Sequence, residues 1–177
     1  ELMVVFVTNG KKFKQSDVLT EKLVAAFPEI VSVKHNVNDT HSNVIMGETS
    51  YTLYGKDEIQ DTLSDVTFKI SDQSFYQINS IQTEKLYQRA IEYAELKGEE
   101  TILDTYCGIG TIGLYMAPKA QHVYGVEIVP EAIADARKNA KRHGFTNTKY
   151  EAGKAEQWLP KWVKEGWRPD VIVVDPP

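Results

Sequence analysis

Gly108-Ile109-Gly110-Thr111-Ile112-Gly113, preceded by Thr101-Ile102-Leu103-Asp104-Thr105-Tyr106-Cys107, is the stretch that decides the fold. It matches G-x-G-x-x-G at a passage from strand to helix, where glycines let the backbone come close to a bound nucleotide. Outward from it the apolar pattern alternates strand, helix, strand, helix. Strands are expected at 101–105, 123–128, 148–151 and 171–174, and helices at 110–117, 130–143 and 154–165. Pro130 stands at a helix start, where its missing N–H costs nothing. Such alternation indicates a parallel sheet with crossover helices, a doubly wound α/β layout. If the usual order of that layout applies, the strands run 3-2-1-4 and 171–174 is left as an apolar edge.

Before this half the rhythm differs. Leu2-Met3-Val4-Val5-Phe6-Val7-Thr8 is a β-rich run closed by the turn signal Asn9-Gly10. Ser16 is expected to cap a helix through Leu19, Leu23, Val24 and Phe27, which Pro28 ends. With short strands at 30–35, 51–54 and 66–70, this gives a small α+β domain, 1–71, read as a helix on an antiparallel sheet. Ile81, Leu86, Ala90, Ile91 and Ala94 then keep a helical rhythm from Asn79 to Leu96, stopped by Lys97-Gly98. Residues 72–97 are thus a linker helix segment and 98–177 the first half of the doubly wound domain. The chain opens without Met at an apparent strand and stops straight after another, and it reads as a piece of a longer protein.

The 177 residues, 42% of them hydrophobic, suffice for a buried core. No apolar run approaches the roughly 20 residues that span a bilayer, and the N-terminus lacks a signal-peptide layout. No membrane contact is expected, and a cytoplasmic location is. One cysteine, Cys107, excludes an internal disulfide and a cysteine-based metal cluster. The four histidines, His35, His41, His122 and His143, lack metal-ligand spacing, so no metal is expected. A net charge of −5 argues against this chain alone gripping a phosphate backbone, whose affinity comes from Lys and Arg displacing counterions. The cluster Lys138, Lys141, Arg142 and His143 reads as a solvated helix face rather than an RNA contact.

Carboxylates narrow the choice of nucleotide. Asp104 ends the strand before the glycines, a poor place for negative charge if a pyrophosphate is to sit at the helix N-terminus. It suits a cofactor with cationic groups, such as the ammonium and sulfonium of S-adenosylmethionine. Glu127 closes the next strand and can accept both ribose hydroxyls of a nucleoside, which does not separate the two kinds of cofactor. Asp175-Pro176-Pro177 follows the apolar strand Val171-Ile172-Val173-Val174, at the carboxyl edge where open α/β sheets bind ligands.

Taken with Ser74-Phe75-Tyr76-Gln77-Ile78-Asn79 and the nearby Gln82, these motifs resemble, over nearly the whole chain, the RNA uracil-5-methyltransferases. The first of them looks like that family's S-F-x-Q-x-N segment. The resemblance implies a truncated class I, Rossmann-like methyltransferase sheet and S-adenosylmethionine as cofactor. It places cofactor contacts at Gln77, Tyr106, Glu127 and Asp175, to which the turn adds Asp104, Gly108, Gly110 and Thr111. Thr111 stands where some relatives have Asn. Phe75 reads as a core aromatic anchoring the linker. The family acts on transfer or ribosomal RNA, often through an N-terminal RNA-binding barrel and sometimes with an iron–sulfur cluster, and neither is visible here.

The family chemistry needs a thiolate that adds to carbon 6 of uracil, because carbon 5 is otherwise a poor nucleophile. Cys107 lies inside the cofactor turn, and the resemblance places the nucleophilic cysteine and the general base beyond Pro177. The fragment is therefore expected to bind cofactor without turnover, with RNA engaged through the full-length protein and the oligomeric state open. Three rivals stay open. They are an amino-group base methyltransferase, which also uses Asp-Pro-Pro, a dinucleotide-binding oxidoreductase and a catalytically silent RNA-binding module.

Overall fold

The computed structural model describes residues 1–41 and 44–176. The chain divides into two compact units, Glu1–Asp61 with Ser71–Gln73 and Thr62–Ile70 with Ser74–Pro177.

In the first unit β1 (Leu2–Thr8), α1 (Ser16–Ala26), β2 (Ile30–Val37) and β3 (Thr49–Gly55) follow in order. The sheet order is β1-β2-β3, with β1 and β2 parallel and β2 and β3 antiparallel. The sheet is mixed, not antiparallel as expected, because a whole helix separates β1 from β2 and returns the chain in the same direction. Ser16 does not cap α1; Gln15 holds the N-cap in a left-handed conformation at φ 61° and gives no side-chain cap. The face of α1 was also misread, since Phe27 is half exposed and Thr20 is the buried residue.

β2 buries Ser32, Lys34 and Asn36, and two of these three are tied into a polar network. Lys34 Nζ donates to Asp72 Oδ1 at 2.7 Å and to the Asp57 carbonyl at 3.1 Å. Asn36 exchanges two bonds with Gly47, and Gln73 Nε2 donates to the Gly47 carbonyl at 3.0 Å. These bonds keep residues 71–73 with the first unit.

β4 (Ile59–Leu63) and β5 (Val66–Ile70) pair as a two-stranded sheet. The boundary expected after residue 71 is corrected by β5, which belongs with the second unit. There α4 (Pro130–Arg142) presents Asn139, whose Oδ1 accepts from the Lys69 N–H at 2.9 Å and whose Nδ2 donates to the Lys69 carbonyl at 3.2 Å. α2 (Ser80–Ala94) is capped by Asn79, whose side chain accepts from the Gln82 N–H. It buries Thr83, Tyr87 and Ile91, one helical stripe, and leaves Ile81 and Leu86 exposed, contrary to the expected face.

The rest of the unit is β6 (Thr101–Thr105), α3 (Thr111–Met116), β7 (His122–Glu127), α4, β8 (Thr148–Ala152), α5 (Ala155–Lys164) and β9 (Val171–Val174). The four strands are all parallel in the order β8-β7-β6-β9, the 3-2-1-4 arrangement of a doubly wound sheet. Ile91, Ile102, Met116 and Val123 build the core on one face, and Leu103, Val126, Ala155 and Trp162 on the other. Ile172 and Val174 on β9 remain exposed.

Candidate functional site

The carboxyl ends of β6, β7 and β9 meet at the strand-order reversal, where open α/β sheets form their crevice. A cavity of about 440 Å³ opens there, a size that suits a small molecule. Gln77, Asp104, Tyr106, Gly108, Thr111, Glu127 and Asp175 line it. These are seven of the eight expected positions. Gly110 is not on the wall: it starts α3 at φ 78° and faces inward, where an ideal Cβ would lie 2.9 Å from the Tyr150 hydroxyl. Pro177 lies outside the described residues.

The turn itself is strained by design of its backbone. Tyr106, Gly108 and Gly110 all take positive φ, at 60°, 53° and 78°. For Tyr106 that conformation is costly, and it persists because the neighbouring bonds over-determine it. Cys107 N–H donates to the Val126 carbonyl at 3.0 Å, and Gly110 N–H to the Cys107 carbonyl at 2.8 Å. The Tyr106 hydroxyl donates to Glu156 Oε1 at 3.0 Å.

Three carboxylates shape the electrostatics. Asp104 is 1% exposed, and its Oδ2 accepts from the Gly113 N–H at 2.9 Å. Burial is the main reason its pKa rises to about 7; the Gly113 N–H opposes the rise, and Asp175 and Glu127 add to it. Glu127 Oε2 accepts from the Gly108 N–H at 3.2 Å and Oε1 from the Val129 N–H at 2.9 Å. Among the described residues no lysine, arginine or histidine lines the cavity. An apolar-walled pocket with carboxylates and no cation favours a ligand carrying positive charge over a pyrophosphate.

The walls include residues that the sequence did not announce. Tyr87 is buried and its hydroxyl shares a 3.0 Å hydrogen bond with Thr111 Oγ1. Its place on the α2 stripe with Thr83 and Ile91 was the available signal, masked by the more hydrophobic Ile81 and Leu86. Phe75 is not a core aromatic: it is 73% exposed at the rim of the cavity. Cys107 is buried in the turn, and burial, with Asp104 and Glu127 nearby, pushes its thiol well above its usual range. A thiol held neutral is a weak nucleophile.

The methyltransferase domain family matches residues 96–175. A Staphylococcus aureus (strain MSSA476) protein named an uncharacterized RNA methyltransferase is 63% identical over all 177 residues, and the chain spans 39% of its length. The same identity and coverage hold for an uncharacterized RNA methyltransferase of Staphylococcus epidermidis (strain ATCC 12228). Among solved structures, the Pyrococcus abyssi tRNA (uracil-54, C5)-methyltransferase in complex with S-adenosyl-L-homocysteine is similar over 99% of this chain and 40% of its own, with a TM-score of 0.69 and 28% identity. A putative S-adenosylmethionine-dependent methyltransferase from Streptococcus mutans covers 99% of this chain and 46% of its own at a TM-score of 0.61; at 13% identity it is alike in fold alone. The chain carries the class I methyltransferase fold, and along its whole length it is similar to part of proteins named RNA methyltransferases.

Proposed function

We propose that this chain holds S-adenosylmethionine in the cavity at β6, β7 and β9, and that the full protein transfers its methyl group to carbon 5 of a uridine in RNA. The observation that carries the cofactor reading is the convergence of Asp104, Glu127 and Asp175 on a cavity that, among the described residues, has no cationic side chain. When bound, the cofactor supplies a methyl group on a sulfonium centre. Asp104 and Asp175 balance its positive charge, Glu127 accepts hydrogen bonds from the ribose hydroxyls, and Tyr106 covers an apolar face. Gln77 adds an amide with one donor side and one acceptor side.

The uracil reading draws support from the Ser74–Asn79 motif around Gln77 and from the likeness to the archaeal uracil-54 enzyme over both units. Cys107 is not offered as the attacking thiolate, because its environment keeps it neutral. The nucleophile and general base are assigned to parts of the protein outside these 177 residues, and the RNA, transfer or ribosomal, is engaged by the whole protein in the cytoplasm.

Calorimetry on this chain tests the cofactor: S-adenosylmethionine and S-adenosylhomocysteine should bind and NAD should not. The full-length protein, given radiolabelled S-adenosylmethionine and cellular RNA, should yield labelled 5-methyluridine after digestion to nucleosides. Label in N6-methyladenosine or a methylguanosine would replace the uracil reading with amino-group methylation. No transfer to any RNA would leave a binding module, and NAD binding alone would leave an oxidoreductase.

A further inference from the structure

Tyr150 stands in the middle of β8, away from the cavity wall, and is 3% exposed. Its ring fills the space beneath the glycine turn. An ideal Cβ on Gly125 would lie 2.4 Å from Tyr150 Cδ1, and one on Gly110 would lie 2.9 Å from its hydroxyl. Packing explains the ring but not the hydroxyl, since phenylalanine fills the same volume. Among the described residues that hydroxyl has no hydrogen-bond partner, an arrangement that costs stability and that folded proteins avoid without a reason.

Asp104 is a carboxylate whose charge acts on Tyr150. Gly113 approaches both groups: an ideal Cβ there would lie 3.0 Å from Asp104 Oδ2 and 3.6 Å from the Tyr150 hydroxyl. Asp104 takes one hydrogen bond, from the Gly113 N–H, and a carboxylate has capacity for several. We propose that Tyr150 is a positioning residue of the cofactor site, its buried hydroxyl held as a second hydrogen-bond donor to the Asp104 carboxylate when a cationic nucleoside ligand occupies the cavity.

The charge pattern gives the reason for a donor held back. The groups that face Asp104 are Asp175 after β9, Glu127 at the end of β7, Tyr87 on α2, Cys107 in the turn and Tyr150 on β8. None is a cation. Without a ligand, burial and the two neighbouring carboxylates favour the protonated form of Asp104. A sulfonium or ammonium in the cavity reverses that bias, and the newly charged oxygen then needs donors in a dry setting. Tyr150 carries such a donor, unengaged among the described residues.

This inference rests on the cofactor reading above, and its test separates the two. The chain and its Tyr150→Phe variant are compared for thermal melting without ligand and for binding of S-adenosylmethionine and S-adenosylhomocysteine at pH 6 and pH 8.5. The variant should melt at the same temperature or higher, because it loses only an unpaired hydroxyl. It should bind S-adenosylmethionine about tenfold more weakly at pH 8.5, the worth of one hydrogen bond to a charged group. The loss should shrink at pH 6 and be small for S-adenosylhomocysteine, whose sulfur is neutral. Equal losses for both ligands, a loss independent of pH, or unchanged binding would overturn the role of the hydroxyl and leave the cofactor reading intact. If the unmodified chain binds neither compound, the cofactor reading fails and this inference with it.

Discussion

Asp104 Oδ2 accepts the Gly113 N–H at 2.9 Å with both residues buried, so the end of β6 is clamped to the first turn of α3 through a single carboxylate oxygen. That bond holds the carboxylate in place but does not outweigh its burial, and the pKa stands at about 7 against 3.8 for an ordinary aspartate. A raised acid pKa means that the folded state binds the proton more tightly than the unfolded chain. The contribution is fully present below pH 4 and is lost as pH rises through 7, on the order of 4 kcal/mol over the window. Asp104→Asn removes the titrating group and keeps an oxygen for Gly113. Its melting temperature should vary less than that of the parent between pH 4.5 and 7.5, and should exceed it at pH 8. Parallel melting curves for the two proteins across that range would show that Asp104 does not titrate there.

Asn139 acts as a short piece of strand grafted onto a helix. It is fully buried, and its amide satisfies both the N–H and the carbonyl of Lys69. Asn139→Ala removes both of these hydrogen bonds and leaves a void where the amide was. The expected loss is about 1–3 kcal/mol, from roughly 0.5–1.5 kcal/mol for each of the two hydrogen bonds removed. Urea unfolding should show this as a lower midpoint with an unchanged slope. Asn139→Asp, which keeps one acceptor, should fall between the two. A loss under about 0.5 kcal/mol for the alanine variant would mean that β5 does not depend on α4.

The doubly wound half was legible because its signals are local. The strand, glycine turn and helix at 101–116 announce themselves by residue type, and Asp104, Glu127 and Asp175 stand at strand ends where topology alone brings them together. What the sequence hid depends on contacts made far along the chain. β5 reads as part of the first domain until Asn139 takes its backbone bonds. Tyr150 carries no motif, and its position under Gly110 and Gly125 follows only once β8 is placed beside β7. The misread faces of α1 and α2 have one cause: Phe27, Ile81 and Leu86 are apolar but exposed, and hydrophobicity alone does not say which stripe meets a neighbour.

Cys107 gives the sharpest division between a cradle and a catalyst. Its Sγ is buried 3.8 Å from the Gly108 carbonyl, and an ideal Cβ on Gly125 would lie 2.8 Å from it, so the thiol fills a gap beneath the turn. Burial and the nearby carboxylates keep it protonated. A disulfide reagent such as dithionitrobenzoate should therefore react slowly with the native chain at pH 8 and fast in urea, with labelling that tracks unfolding. In the full-length protein Cys107→Ala should weaken cofactor binding a few-fold, through the small void it leaves, and lower methyl transfer without abolishing it. Rapid stoichiometric labelling of the folded chain at neutral pH, or a variant with no detectable transfer and normal cofactor affinity, would reverse the assignment and make Cys107 the attacking nucleophile.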